Sequence, residues 1–139
     1  MIVLDTNVLS ELMRPEPAAA VVRWVAGLPA AQLFTTSVTQ AEIGYGLALM
    51  SPGKRRDALE DAVDCMFSED FGGRILPFDT AAAYEYPTIV DTRKQSGAPI
   101  AAFDAMIAAI ARSRGTAVAT RNVKVFDGCG VTVIDPWQA

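Results

Sequence analysis

Short apolar runs alternate along the chain with longer segments in which apolar residues recur at helical spacing. The first run, Ile2–Leu4, is apolar throughout, which is typical of a strand buried on both faces of a parallel sheet. The same reasoning predicts four further strands, at 32–36, 74–77, 116–120 and 131–134. Strands that alternate with helices indicate a parallel α/β sheet with right-handed crossovers.

Six helices are predicted between these strands, with ends marked by proline, glycine and capping residues. They cover residues 6–13, 17–27, 37–50, 54–67, 80–95 and 100–114. Ser37 is expected to cap the third helix, with Gln40 in the capping-box position, and Asp79 to cap the fifth. Pro87 lies inside the fifth helix, where it should kink or split the helix at a cost of about 3 kcal/mol.

Length and composition fit a single α/β domain that spans residues 1–139. The chain is 51% hydrophobic and 20% charged, so it can bury a substantial core. No apolar stretch reaches the ~20 residues of a membrane span, and no leader precedes the first strand, so we expect a cytoplasmic protein. Cys65 and Cys129 are too few for a disulfide framework and are expected to be buried free thiols.

The charged residues restrict the chemistry that is available. The chain has no histidine, which excludes a Ser-His-Asp triad and a histidine-ligated zinc site. The net charge of −4 argues against a protein that coats nucleic acid, although bound divalent cations would reverse the sign locally. Basic residues group at 54–56 and at Arg112, Arg114, Arg121 and Lys124. These groups could form local basic patches or lie at solvated helix ends and loops.

Polar residues follow two of the predicted strands at their carboxyl ends. Asp5 comes directly after the first strand, and Thr120, Arg121 and Asn122 come at the end of the fourth. Ligands of open α/β sheets bind beyond the carboxyl ends of the strands. This edge of the sheet is therefore the predicted functional site.

Two further acids interrupt apolar helix faces. Glu42 falls on the predicted inward stripe of the third helix, between Val38 and Tyr45; the stripe also includes Ala41, Ala48 and Leu49. Asp104 borders the predicted apolar face of the last helix, which consists of Phe103, Met106, Ile107 and Ile110. A carboxylate on an inward face is costly unless it is paired or bound to a metal.

Each acid also has a purely structural interpretation. Asp5 could cap the following helix, Glu42 could pair with an arginine or bond to Tyr45, and Asp104 could complement its helix dipole. One shared site explains all three at once. Converging carboxylates raise each other's pKa values, and a divalent cation removes that repulsion, so we expect a metal ion there.

Five segments in order along the chain carry a resemblance to a known family. They are residues 4–11, 41–46, 104–109, 120–122 and 135–137. Together they resemble PIN-domain proteins over essentially the whole chain, most closely the VapC toxins of type II toxin–antitoxin pairs in the FitB-like subgroup. The resemblance implies a three-layer α/β sandwich with a central, mostly parallel sheet of four to five short strands.

The resemblance also implies an activity and partners. It implies an endoribonuclease that depends on Mg²⁺, with Mn²⁺ as a substitute, and that forms a homodimer. A cognate antitoxin of the VapB or FitA kind is expected to inhibit it and to provide its only contact with DNA. No membrane partner is implied.

Residue by residue, Asp5, Glu42 and Asp104 match the family's acidic metal-site positions. The resemblance assigns a supporting role around the metal and its waters to Thr6, Asn7, Thr120 and Asn122. Arg121 or Arg14 would contact phosphate. Two positions depart from the family pattern. Many relatives carry a fourth Asp where this chain has Asn122, and an acid is common where it has Val125. A site for one metal ion is therefore expected rather than a site for two.

Two other functions remain open at this point. The fold could have lost its chemistry and act with its antitoxin as a DNA-bound regulator, an alternative that Asn122 supports. An aspartyl-phosphate enzyme would use Asp5 as the nucleophile, but it would normally carry a second acid where this chain has Asn7.

Overall fold

A computed structural model describes all residues from 1 to 139. All five predicted strands form, and every neighbouring pair is parallel, in the order β3-β2-β1-β4-β5. The strands are short: β1 is Ile2–Leu4, β2 Leu33–Thr36, β3 Ile75–Leu76, β4 Ala117–Ala119 and β5 Val133–Ile134. The central position of β1, between β2 and β4, places its carboxyl end in the middle of one edge of the sheet.

The sheet separates two hydrophobic layers because successive side chains of a strand point to opposite faces. Val3 and Val118 belong to one core cluster, together with residues of the last two helices. Leu4 and Ala119, each the next residue along its strand, belong to the other. The predicted sandwich of helices around a parallel sheet is confirmed.

Six helices surround the sheet, as predicted. They are α1 Thr6–Leu12, α2 Ala19–Ala26, α3 Ser37–Ala48, α4 Lys54–Cys65, α5 Thr80–Gln95 and α6 Ala102–Ser113. Asp79 caps α5 through a 3.0 Å bond that its Oδ1 accepts from the Ala82 N–H. The predicted cap of α3 was wrong by one residue: Thr36 is the cap, and its hydroxyl accepts from the Thr39 N–H at 3.0 Å.

Pro87 does not split α5, which is continuous from Thr80 to Gln95. Proline removes the donor that would bind the carbonyl of Ala83 in a regular helix. Both residues are exposed, so water can bind that carbonyl instead.

The predicted inward stripe of α3 was largely wrong, since only Val38 of its five apolar residues is buried. Tyr45 and Leu49 are 66% and 68% exposed, whereas Val38, Thr39 and Ile43 are buried. The prediction failed because apolar residues occur on two sides of this helix, and periodicity alone does not say which side meets the core. Phe103 of α6 is likewise 48% exposed rather than buried.

The two cysteines differ in burial. Cys129 is fully buried, as expected, but Cys65 is exposed near the end of α4, so that half of the prediction was wrong. None of the six helices combines the length and the apolarity that a membrane span requires.

Candidate active site

Asp5 links the end of β1 to the start of α1. Its Oδ1 accepts from the Thr6 N–H at 2.8 Å, so Asp5 is the helix cap that one interpretation of the sequence suggested. Its Oδ2 accepts from the Thr120 hydroxyl at 2.9 Å and from Asn7 Nδ2 at 3.4 Å. The capping role therefore uses one oxygen, and the other belongs to a network at the sheet edge.

Burial dominates the acid strength of Asp5. It raises the pKa of Asp5 from 3.8 to about 6, with smaller upward contributions from Asp104 and Glu42. The bonds from Thr120 and the Thr6 N–H act in the opposite direction, because they stabilise the charged form. A carboxylate that is this costly to ionise is typical of functional sites.

Glu42 lies on α3 and faces the same cleft. Its Oε1 accepts from the Thr6 hydroxyl at 2.9 Å, and that hydroxyl also lies 3.0 Å from Thr39 Oγ1. The alternative partners, an arginine or Tyr45, were wrong, because the partner is on α1 instead. Partial burial raises the pKa of Glu42, and the nearby Asp104 raises it further.

Asp104 lies in the first turn of α6 and is half-buried. Burial raises the pKa of Asp104, while the positive charge of Arg93 partly offsets this effect. None of the hydrogen bonds of the chain involves its side chain, so its oxygens remain available to a ligand.

These three carboxylates line one cleft of about 490 Å³ beyond the carboxyl end of the sheet. They share the cleft without converging tightly, since no three acidic or thiol side chains are close enough to bind one metal ion together. The donor set still suits Mg²⁺ or Mn²⁺, because Mg²⁺ commonly takes only one or two carboxylates and keeps several waters.

Thr120 is the centre of a hydrogen-bond network around Asp5. Its hydroxyl donates to Asp5 and accepts from Asn7 Nδ2 at 3.1 Å and from the Asn122 N–H at 3.0 Å. The side-chain oxygen of Asn7 in turn accepts from the Arg121 N–H at 3.2 Å. The side chain of Asn122 lines the cleft without a protein hydrogen bond.

The cleft has a second wall that the sequence predicted only in part. It contains Arg14 and Arg121, which were predicted, and also Ser10, Glu11 and Trp137, which were not. Helical spacing could have revealed part of it, because Asn7, Ser10, Glu11 and Arg14 recur on one face of α1 and its end. Nothing local places Trp137 there.

Glu11 holds the end of this wall in place. Its carboxylate is buried and accepts from the Ala18 N–H at 3.0 Å and from Arg14 at 3.2 Å. The Ala18 N–H and the Arg14 guanidinium lower the pKa of Glu11, so this acid stays ionised while the three others resist ionisation.

The other basic residues are mostly engaged on the surface. Arg112 pairs with Glu85 at 3.0 Å, and Arg114 lies 3.6 Å from Asp79; on α4, Arg56 pairs with Glu60 at 2.7 Å. Of the predicted patches, only Arg121 lines the cleft.

Comparison with known proteins places this geometry in a family. The sequence matches the PIN domain over residues 2–127. The chain belongs to the PIN-domain family. It is 40% identical over 138 residues to the VapC ribonuclease Y4jK of Sinorhizobium fredii, with 99% of each chain covered.

One further relative and one solved structure match the chain equally well. The toxin FitB of Neisseria gonorrhoeae is 40% identical over 138 residues, again with 99% of each chain covered. The structure of FitAB bound to a DNA fragment superposes with a TM-score of 0.92 at 40% identity, covering 99% of this chain and 96% of that one. The resemblance to VapC and FitB toxins that the sequence motifs indicated is thus confirmed.

Proposed function

We propose that this PIN-domain protein is the toxin of a type II toxin–antitoxin pair and cleaves RNA with the help of a divalent cation. The observation that supports this most is the position of Asp5, Glu42 and Asp104. They come from β1, α3 and α6, line one cleft, and all have raised pKa values. A relative named as a ribonuclease is consistent with this chemistry.

Asp5 and Asp104 would hold Mg²⁺ or Mn²⁺, with Glu42 bound to it directly or through water. A bound cation of this kind supplies a more acidic water and neutralises charge on phosphate oxygens. Thr120 keeps Asp5 oriented and favours its charged form, and Thr6 does the same for Glu42. Asn7 and Asn122 would supply further polar groups around the ion. Arg121 or Arg14 would contact phosphate.

An antitoxin is the proposed inhibitor, since one relative is named a toxin and FitAB is a complex that binds DNA. An apolar groove of about 620 Å³ lies between α1, α3 and α4 and includes Ile43, Leu47 and Leu59. It shares Thr6 and Glu42 with the acidic cleft. An apolar helix of the antitoxin seated there would therefore reach the site, and DNA would be contacted through the antitoxin alone.

A homodimer is also proposed. Tyr45 and Leu49 of α3, Tyr84 of α5 and Phe103 of α6 are exposed although large and apolar. If they lie in one contiguous patch, they would favour a protein–protein contact, and the oligomeric state in solution tests this. We also propose a cytoplasmic location, because the proposed substrate is RNA.

RNA cleavage in the presence of Mg²⁺ or Mn²⁺ tests the proposal. Asp5→Asn should lower the cleavage rate at least about a hundredfold without loss of folding, because it removes a charged cation ligand. Asp127→Asn is the matched control, since Asp127 is exposed and outside the cleft. EDTA should abolish cleavage by the wild type. Sequencing of RNA ends after brief expression of each protein would identify the bond that is cut. Full activity of Asp5→Asn would refute the assignment.

A second function, an inactive module that acts with its antitoxin on DNA, has two supporting observations. Asn122 is uncharged where the resemblance implies an Asp, and no three acids lie within common reach of one ion. Calorimetric titration with Mg²⁺ and Mn²⁺ separates the two functions, since the module need bind neither ion.

A further inference from the structure

Arg121 is the uncommitted cation of the cleft. It is exposed, and its guanidinium takes part in no ion pair and no hydrogen bond within the chain. Arg14 differs, because its guanidinium is already bound to Glu11 at 3.2 Å. The guanidinium donors of Arg121 are therefore free for an anionic ligand, and only its backbone N–H is used within the chain.

Trp137 is the one apolar side chain in the lining of the acidic cleft. It is half-buried and packs against the core cluster that contains Leu4, while its remaining surface faces the cleft. Its backbone N–H donates to Asp135 Oδ1 at 2.9 Å, which fixes the turn that carries it. The guanidinium carbon of Arg121 lies 5.1 Å from the centre of the Trp137 ring, within the range of a cation–π contact.

The hydrogen-bond network ties the backbone of Arg121 to Asp5. The backbone of Arg121 donates to Asn7, and Asn7 Nδ2 donates to Thr120 and Asp5. The backbone of Arg121 is thus fixed near Asp5, and its guanidinium lies over the indole of Trp137. A positive group and an aromatic surface next to an anionic cleft match the two parts of a nucleotide, its phosphate and its base.

We propose that Arg121 and Trp137 form a subsite for one nucleotide of single-stranded RNA next to the acidic cleft. The guanidinium binds the phosphate, and the base stacks on the indole and the guanidinium plane. An aromatic surface attracts any base without regard to charge, so it can retain RNA beside carboxylates that repel its backbone. Only an unpaired base can stack in this way, which excludes duplex RNA as the ligand of the subsite. This inference rests on the proposed RNA-cleaving function.

Binding of a short labelled single-stranded RNA in EDTA and at low salt tests the subsite apart from cleavage. Fluorescence anisotropy gives the dissociation constant. Trp137→Leu should weaken binding about fivefold to a hundredfold, the usual effect of losing one stacked base, whereas Trp137→Phe should retain most of it. Arg121→Gln should weaken binding and lower its salt dependence. Lys124→Gln, an exposed cation outside the cleft, is the control and should have a much smaller effect.

A scan with abasic nucleotides shows whether the lost interaction involves a base. Wild-type protein should lose affinity when one particular base is removed, and Trp137→Leu should be insensitive to the same removal. Because Trp137 contacts the core, thermal unfolding must show that Trp137→Leu is folded; Arg121→Gln, which changes an exposed residue, provides independent evidence. In a Trp24→Phe background, RNA should also change the fluorescence of Trp137, the remaining tryptophan.

The outcomes distinguish the subsite from the general function. Equal RNA affinity for the wild type, Trp137→Leu and Arg121→Gln would overturn the subsite, even if the wild type cleaves RNA. Wild-type protein that binds no RNA would also overturn it. Protein that binds RNA through Trp137 but never cleaves it with either metal would retain the subsite and refute the nuclease.

Discussion

The Thr120 hydroxyl donates a 2.9 Å hydrogen bond to Asp5 Oδ2, across 115 positions of the sequence. Adjacent parallel strands explain the contact, because β1 pairs with β4 and both end at the same edge. The bond lowers the pKa of Asp5 and so opposes the effect of burial.

Replacing Thr120 with valine should therefore raise the pKa of Asp5 above about 6 in EDTA. Valine keeps the shape of threonine but cannot donate, so the charged form loses a stabilising partner. Titration of the Asp5 side chain by ¹³C NMR measures the effect. Thr120→Ser retains the hydroxyl and should titrate much like the wild type. An unchanged titration in Thr120→Val would mean that the hydrogen bond does not control Asp5.

Asp5 should also make the metal-free protein less stable as the pH rises. The folded protein binds this proton up to about pH 6, whereas an ordinary aspartate, with a pKa of 3.8, releases it earlier. Between these two values the native state holds more protons than the unfolded state, so the free energy of unfolding falls with rising pH. The full loss is about 3 kcal/mol, reached above pH 6.

Urea unfolding in EDTA at several pH values measures this loss. Asp5→Asn cannot ionise, so its stability relative to the wild type should increase from pH 4 to pH 7. A difference between the two proteins that does not vary with pH would contradict the raised pKa. Mg²⁺ added at pH 7 should stabilise the wild type more than Asp5→Asn, if Asp5 is a ligand.

Adding a fourth acid to the cleft should strengthen cation binding. Asn122 lines the cleft and has a free side chain, so Asn122→Asp adds a negative charge there. We expect Mn²⁺ to bind roughly tenfold more tightly, which corresponds to ~1.4 kcal/mol. Calorimetry measures the affinity. Gln95→Glu adds the same charge at the exposed end of α5, away from the cleft, and should leave the affinity nearly unchanged. Equal affinities for the two variants would show that position 122 is not part of the site.

Arg93 should be essential for stability, although it is not in the cleft lining. Its side chain is buried, and it donates to the carbonyl of Ala98 at 2.8 Å and to that of Val125. It thereby joins the segment before α6 to the turn after Asn122. Arg93→Met leaves both carbonyls without this donor and should cost about 2–4 kcal/mol.

Urea unfolding gives that cost. Arg23→Met is the control, because Arg23 is exposed and has no ion pair, and it should change stability by less than about 0.5 kcal/mol. Arg93→Met should also raise the pKa of Asp104, since the positive charge that lowers it is gone. A variant as stable as the wild type would show that the two carbonyls find other donors.

Much of the architecture was predictable from local patterns. Fully apolar runs as short as Ile2–Leu4 indicated buried parallel strands, and Asp79 was correctly predicted as a cap because its partner is three residues away. Where a helix has apolar residues on two sides, their spacing did not predict which side is buried. In α3 the spacing of apolar residues selected the side of Tyr45 and Leu49, which is exposed.

The residue types and their order by themselves determined the fold class, the absence of histidine chemistry and the three acids that interrupt strand ends and helix faces. Only the tertiary structure decided that Glu42 bonds to Thr6, that Thr120 bonds to Asp5, and that Trp137 meets Arg121. The physical reason is distance along the chain. A cap or a helical stripe is set by neighbours within a few residues, whereas these contacts depend on which strands pair and how the helices pack between them.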